Sequence, residues 1–346
     1  MNAVLMKVFQ NEEELDLALS EPGADVVELM RETPGDFIFL GVAGKMGVTL
    51  ALMARRAADE AGVKKRIIGV ARFSDPEQKK KLENAGIETI SCDLLDPEAV
   101  AKLPDAPNVI YMAAKKFGTD GNEDVTWAMN VVAPTHVIHR YKKSKIVAFS
   151  TGCVYPLVTA TQGGCDEQVK PAPIGDYAQS ALGRERVFGY ASRVFGTPVC
   201  LYRLNYAVDL RYGVLHDIAQ TILAGKPVDL SASHFNAIWQ GDANRQALLC
   251  LRFAATPAVP VNITGPETVS VKYAATLLAE HLGKSVSFQG EPGGAVYLNN
   301  ASFAAEKFGY PSVSMHELIR LQAAWLKKGG RSLGKPTHFE VTTGKY

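Results

Sequence analysis

Gly41-Val42-Ala43-Gly44-Lys45-Met46-Gly47 carries a glycine at every third position. It follows the apolar run Phe37-Ile38-Phe39-Leu40 and opens an apolar-periodic stretch, Val48 to Ala61. A glycine turn between a strand and a helix is suited to holding a dinucleotide pyrophosphate. The first glycine permits the tight turn, the second lets phosphate approach backbone, and the third lets helix and strand pack closely. The helix start then offers unpaired N–H groups and the positive end of its dipole. Gly41, Ala43, Gly44, Lys45, Met46 and Gly47 are therefore the expected cofactor-binding stretch.

Other residues with chemical potential end further apolar runs. The run through Val70-Ala71 is followed by Arg72, where an NAD-selective site usually places a carboxylate for the ribose hydroxyls. A cation there suits a 2′-phosphate, so NADP is favoured and NAD is the alternative; a merely solvated Arg72 is the bland reading. Asp93, followed by Leu94, either meets the adenine amino group or simply ends a strand. Ser150 and Thr151 put two hydroxyls at the carboxyl end of a run, where open α/β sheets bind ligands. Cys153 beside them is a thiol near the substrate or a small buried residue.

These residues need a frame. Runs at 37–40, 66–71 and 145–150 read as buried strands, and those at 88–91, 108–112 and 198–204 read as further strands. Helical stretches at 48–61, 76–86, 97–103, 124–143 and 177–196 lie between them. The alternation predicts an α/β fold built on a doubly wound, Rossmann-type parallel sheet. Pro134 should kink or split the 124–143 helix, since an interior proline costs about 3 kcal/mol. Beyond 205 the alternation loosens into helices at 213–225, 241–255, 270–283, 301–308 and 314–328, with extended pieces at Val228–Leu230, Pro260–Ile263 and Ser285–Phe288. Four parts are expected: an acidic N-terminal helical extension (1–35), a dinucleotide-binding domain (36–205), a smaller, mostly helical substrate domain (206–330) to and from which the chain crosses, and a tail (331–346). The sequence assigns the extension no role.

Composition narrows the ligand class. A net charge of +1 favours neither nucleic acid nor a membrane surface, which leaves small metabolites. Cys92, Cys153, Cys165, Cys200 and Cys250 stand alone, as expected of free thiols in a reduced, cytoplasmic setting. The seven His lack metal-ligand spacing, so no metal is expected. No apolar run reaches the roughly 18 residues of a membrane span, and Met1 to Gln10 does not read as a signal peptide.

The order of several segments resembles an extended short-chain dehydrogenase/reductase, of the NAD-dependent epimerase/dehydratase branch, over about residues 36–328. The segments are the glycine turn, the Asp93 stretch, Ala113-Ala114, Asn130, Ser150-Thr151-Gly152-Cys153-Val154-Tyr155-Pro156, Arg203-Leu204-Asn205, Asn262-Ile263-Thr264-Gly265-Pro266-Glu267 and Lys307-Phe308-Gly309-Tyr310-Pro311. The resemblance implies that Thr151 bonds the substrate oxygen and that Tyr177 is the general acid/base. It places Ala113, Ala114, Asn130 and Ser150 at the cofactor, and Cys153, Arg203 and Asn205 on the substrate side. The family pattern then asks for lysine four residues after the tyrosine, where this chain has Ala181.

That departure has chemical weight. A tyrosine ionises near 10, and a nearby ammonium makes it useful closer to neutral pH. Lys115 and Lys116, after Ala113-Ala114, are the favoured substitutes, and Arg184 is a third. The resemblance implies an NAD(P)-dependent oxidoreductase or epimerase acting on a sugar or sugar-derived hydroxyl compound. The alternative is a catalytically degenerate dinucleotide-binding regulator or assembly subunit. It also implies a homodimer joined through the 124–143 and 177–196 helices, with Trp127, Val131, Ile138, Leu182 and Phe188 as apolar residues for the bundle.

Overall fold

The computed structural model describes residues 8–344. Its centre is a sheet of seven parallel strands: β1 (Phe37–Leu40), β2 (Ile67–Ala71), β3 (Glu88–Ser91), β4 (Asn108–Tyr111), β5 (Lys145–Thr151), β6 (Val199–Leu204) and β7 (Val259–Ile263). They lie in the order β7-β6-β5-β4-β1-β2-β3. The direction of winding reverses between β1 and β4, which opens a crevice at their carboxyl ends. The register aligns those ends: Leu40 pairs with both Val70 and Tyr111, and Tyr111 pairs with Ala148.

Every residue of β1, β2 and β4 is buried, as continuous apolar runs require. Alternate side chains serve opposite faces. Phe37 and Phe39 enter one core with Leu50, Ala54 and Ala57 of the helix Gly47–Glu60. Ile38 and Leu40 enter the other with Val137, Ile138 and Phe188. β3 lies at the sheet edge, and its Glu88 and Ser91 are exposed.

A third core lies under the helices Val214–Leu223, Val271–Leu282 and Met315–Lys327. Between the first and second of these helices the chain returns to the sheet, where β7 pairs in parallel with β6 from Val259↔Cys200 to Ile263↔Leu204. The N-terminal extension is built into two cores: its helix Glu12–Leu19 buries Leu15 and Leu19 in this third core, where Phe9 stacks on Trp239, and its helix Ala24–Glu32 buries Val26 and Met30 in the core of Phe37 and Phe39. Arg211 fastens the first helix by donating to Asp16 at 2.8 Å and Glu12 at 3.2 Å, while Asp209 takes its Nε at 2.9 Å.

Pro134 does split its helix. Segments Glu123–Trp127 and Ala133–Arg140 flank a π-helical turn, Ala128–Val132, and Pro134 falls at the head of the last segment. A proline in a helix's first turn forfeits no ladder bond, and the π turn takes up the change of register. Of the apolar residues expected in a helix bundle between subunits, Ile138 and Phe188 are instead buried against this chain's own sheet. The large apolar residues exposed on these two helices are Val125, Trp127, Val132, Tyr190 and Val194.

Candidate active site

Backbone geometry explains the glycine turn. Gly41 has φ +94, and a Cβ there would lie 2.6 Å from the Ala113 nitrogen of the loop after β4. A Cβ on Gly47 would lie 2.1 Å from the Val42 carbonyl oxygen, so only glycine lets the helix start this close to β1. Gly44 by contrast is exposed, and a Cβ there would meet only the Gly41 carbonyl oxygen. The Gly47 N–H bonds the Gly44 carbonyl at 3.2 Å, and no side chain caps the helix start that follows, which leaves its positive end to a ligand. Before it opens a cavity of about 590 Å³, lined by Ala43, Gly44, Lys45 and Met46. A turn that glycine alone can make, an uncapped helix start and a crevice at the strand ends together fit a dinucleotide.

Ser150, Thr151 and Cys153 line the same cavity from the end of β5, and Tyr177 enters it from the first turn of the helix Gly175–Phe195. The Thr151 hydroxyl faces the Tyr177 phenol and favours its ionised form. Burial pushes the phenol up to about 12, with Cys153 adding to the rise; the Arg184 charge and the Thr151 hydroxyl act the other way. At neutral pH it is a protonated phenol, able to donate.

The site's cations are sorted by the loop after β4. Asn130, buried on the π turn, accepts from the Lys115 nitrogen and donates to the Lys115 carbonyl, both at 3.0 Å, and donates to Ser180 at 2.9 Å. Lys115 is thus held by its backbone, and its side chain does not line the cavity. Lys116 does line it, with Nζ 5.6 Å from the Tyr177 ring centre and donating to the Thr337 carbonyl at 3.3 Å. Arg184 is buried at the foot of Tyr177 and donates to the Ala113 carbonyl at 3.3 Å. Its Nε has no hydrogen-bond partner, and no carboxylate pairs with it among the described residues. Ala181 is buried in an apolar cluster with Val154, Tyr155 and Cys165.

Arg203, Asp93 and Leu94, expected at a ligand, have other placements. Arg203 is not at the cavity: it forms a bidentate pair with Glu185 at 2.8 and 2.7 Å and donates to the Tyr155 hydroxyl at 2.7 Å, wholly buried. Its role is to join β6 to the helix bearing Tyr177, with Ser150 donating to the same carboxylate at 2.6 Å. Arg72 is exposed at the end of β2 and makes no ion pair among the described residues. Asp93 accepts from the Leu95 nitrogen at 3.0 Å, a turn that ends β3, and neither it nor the buried Leu94 lines the cavity. Asn205 does line it, while donating to Asn236 at 2.8 Å.

The segment read as a tail supplies residues that the sequence did not single out. Leu333, Lys335 and Thr337 line the cavity. Thr337 donates from its backbone to Asp217 at 2.7 Å, Phe117 meets His338, and Phe339 meets Phe235. Residues 331–344 form a strap across the mouth.

A family model described as NAD dependent epimerase/dehydratase matches residues 38–228, more than half of the chain. The chain belongs to this family. No curated protein matches the sequence. Solved structures share the fold. UDP-glucuronic acid 4-epimerase from Bacillus cereus, in complex with UDP-4-deoxy-4-fluoro-glucuronic acid and NAD, superposes with a TM-score of 0.69 at 19% identity, over 85% of this chain and 99% of that one. dTDP-glucose 4,6-dehydratase from Streptomyces venezuelae, with NAD and TYD bound, gives 0.71 at 18%, over 85% and 97%. UDP-glucose 4-epimerase from Thermotoga maritima, with UDP-glucose, gives 0.68 at 19%, over 85% and 99%. No helix among the described residues is long and apolar enough to cross a membrane.

The Arg203 geometry has a direct consequence. Arg203→Met leaves Glu185 buried without its partner, and breaking such a pair costs about 3–5 kcal/mol. The urea midpoint of this variant should fall well below that of the parent. An unchanged midpoint would mean that Arg203 serves a ligand rather than the fold.

Proposed function

We propose that this protein is an NAD(P)-dependent oxidoreductase or epimerase acting at a hydroxyl-bearing carbon of a sugar or sugar derivative. One observation carries the reading: Tyr177 and Thr151 line together the cavity that begins at the glycine turn, with the Thr151 hydroxyl facing the phenol. Family membership, and the sugar nucleotides bound by structures of the same fold, support the substrate class.

When bound, the nicotinamide supplies a hydride acceptor or donor. The protein's residues do the rest. Gly41 and Gly47 let the backbone close on the pyrophosphate, and the uncapped helix start faces its charge. Thr151 orients the reacting oxygen. Tyr177 gives a proton to that oxygen as negative charge builds, or takes it in the reverse direction. Arg184 stands in for the absent lysine. Its fixed charge beneath Tyr177 favours the phenolate, and its bond to the Ala113 carbonyl sets the loop that borders the ring.

A second reading keeps the dinucleotide and drops the turnover. Ala181 and the upward displacement of Tyr177 favour it, since a phenol at about 12 gives up its proton reluctantly near neutral pH. The pairing of Tyr177 with Thr151 favours the enzyme, because a binding module has no use for it.

For cofactor choice, the unpaired Arg72 at the end of β2 supports NADP ahead of NAD. For assembly, we propose a homodimer across the apolar stripe of Val125, Trp127, Val132, Tyr190 and Val194.

Tyr177→Phe should lower kcat by about 10²–10⁴-fold with dinucleotide affinity retained. Arg184→Met should move the pH–rate profile of kcat to higher pH, because a cation that favours the phenolate is gone. Full turnover by Tyr177→Phe on a substrate that the parent converts would sink the enzyme reading. Calorimetric titration should show NADP binding tighter than NAD, and Arg72→Ala should remove the difference. Tighter NAD binding would refute that preference. A monomeric mass in light scattering would refute the dimer.

A further inference from the structure

Three lysines from three separate segments line the catalytic end of the cavity: Lys45 of the glycine turn, Lys116 of the loop after β4 and Lys335 of the strap. Lys45 Nζ lies 3.3 Å from the centre of the Tyr212 ring and 4.2 Å from that of Phe117. It is buried and has no hydrogen-bond partner. Lys116 Nζ stands 5.4 Å from the same Phe117 ring. An aromatic face offsets part of the cost of taking an ammonium out of water, not all of it.

The charges around Lys45 do not balance it. Lys116 and Lys335 oppose it, and Asp217, from the helix Val214–Leu223, is the carboxylate that faces it. Asp217 already accepts from both the Thr337 nitrogen and hydroxyl. Tyr212 is a phenol that burial pushes upward, so it stays neutral. Asp217 faces Lys116 as well, as does Glu340 of the strap, so two carboxylates stand against three lysines. Burial, then Lys116 and Lys335, pull the Lys45 amine down to about 7 against Asp217.

We propose, resting on the function read above, that Lys45, Lys116 and Lys335 hold the carboxylate of an acidic sugar, a hexuronic acid either free or nucleotide-linked. A carboxylate supplies the missing negative charge and the acceptor that Lys45 lacks. The dinucleotide pyrophosphate is not the occupant. The helix start at Gly47 serves it, whereas Lys116 stands beside Tyr177. In a hexuronic acid the carboxylate carbon is next but one to C4, so the acid reaches the lysines while the C4 hydroxyl meets Tyr177.

The pH dependence follows in sign. Without ligand, Lys45 loses its proton as pH rises through about 7. The bound anion raises that pKa, so binding above this pH takes up a proton and affinity falls as pH rises.

The test is calorimetry on dinucleotide-loaded protein with two pairs of ligands: glucuronate against glucose, and UDP-glucuronic acid against UDP-glucose. In at least one pair the acid should bind about ten- to a hundredfold tighter than its neutral partner. The pair that shows this tells the free from the nucleotide-linked source. Lys45→Met should remove the preference and the proton uptake, and should cost the acid more affinity than it costs the dinucleotide. Lys335→Met, at an exposed position that cannot disturb the core, should reduce the preference. Equal binding within both pairs, binding of no ligand, or a preference that survives Lys45→Met overturns the proposal. So does an equal loss of dinucleotide affinity in Lys45→Met, because the cluster then serves the pyrophosphate. Neutral sugars that bind and turn over without an acid preference would leave the enzyme reading standing and sink this one. A Lys45-dependent acid preference without any turnover would do the reverse.

Discussion

Asn130 grips the backbone of Lys115 from both sides, accepting its N–H and donating to its carbonyl. Past Tyr111 no neighbouring strand fixes the chain's height through a full ladder, yet this stretch must border the cofactor. A side-chain amide is the one group short enough to replace a β-ladder there with both a donor and an acceptor. It reaches because the helix carrying it bulges into a π turn at Ala128–Val132. That clamp decides which of two adjacent lysines enters the cavity, and it gives Arg184 its acceptor at Ala113. The positions of Tyr177, Arg184 and Lys116 relative to one another all trace to it.

Around this clamp the molecule separates two treatments of buried charge. Arg203 and Glu185 cancel within one bidentate pair and hold β6 against the catalytic helix. Arg211 with Asp16 and Asp209 does the same between the N-terminal helix and the third core. Lys45 and Arg184 are left without ion pairs of their own; Lys45 lines the cavity, and the Arg184 charge acts on Tyr177, which also lines it. Buried charges that are matched hold a fold together, whereas unmatched ones raise its cost unless a ligand or a reacting group uses them.

The sheet was legible because its strands are apolar on both faces and its turns carry glycine. β1 begins and ends where its apolar run does, and the glycine turn led directly to the cavity. Other features depend on tertiary position and leave no periodic trace. Val259–Ile263 looks like any short extended piece until it pairs with β6. Arg203 carries the spacing of a site residue, but Glu185, which claims it, lies eighteen residues earlier on a helix whose facing side only packing reveals. The strap is polar and unpatterned, so nothing in its sequence announced that Thr337 and Lys335 close the mouth. Lys45 was expected for its backbone; its side chain's course between Tyr212 and Phe117 requires both loops to be in place.

The central claim is that the dinucleotide runs from the glycine turn to Tyr177. A crystal structure of the protein with NADP or NAD bound tests it most directly. The expected result is pyrophosphate on the backbone of Gly44 to Gly47 and the nicotinamide C4 within about 4 Å of the Tyr177 hydroxyl. A nicotinamide ring turned away from Tyr177, or a cleft that takes no dinucleotide at saturating concentration, would contradict it.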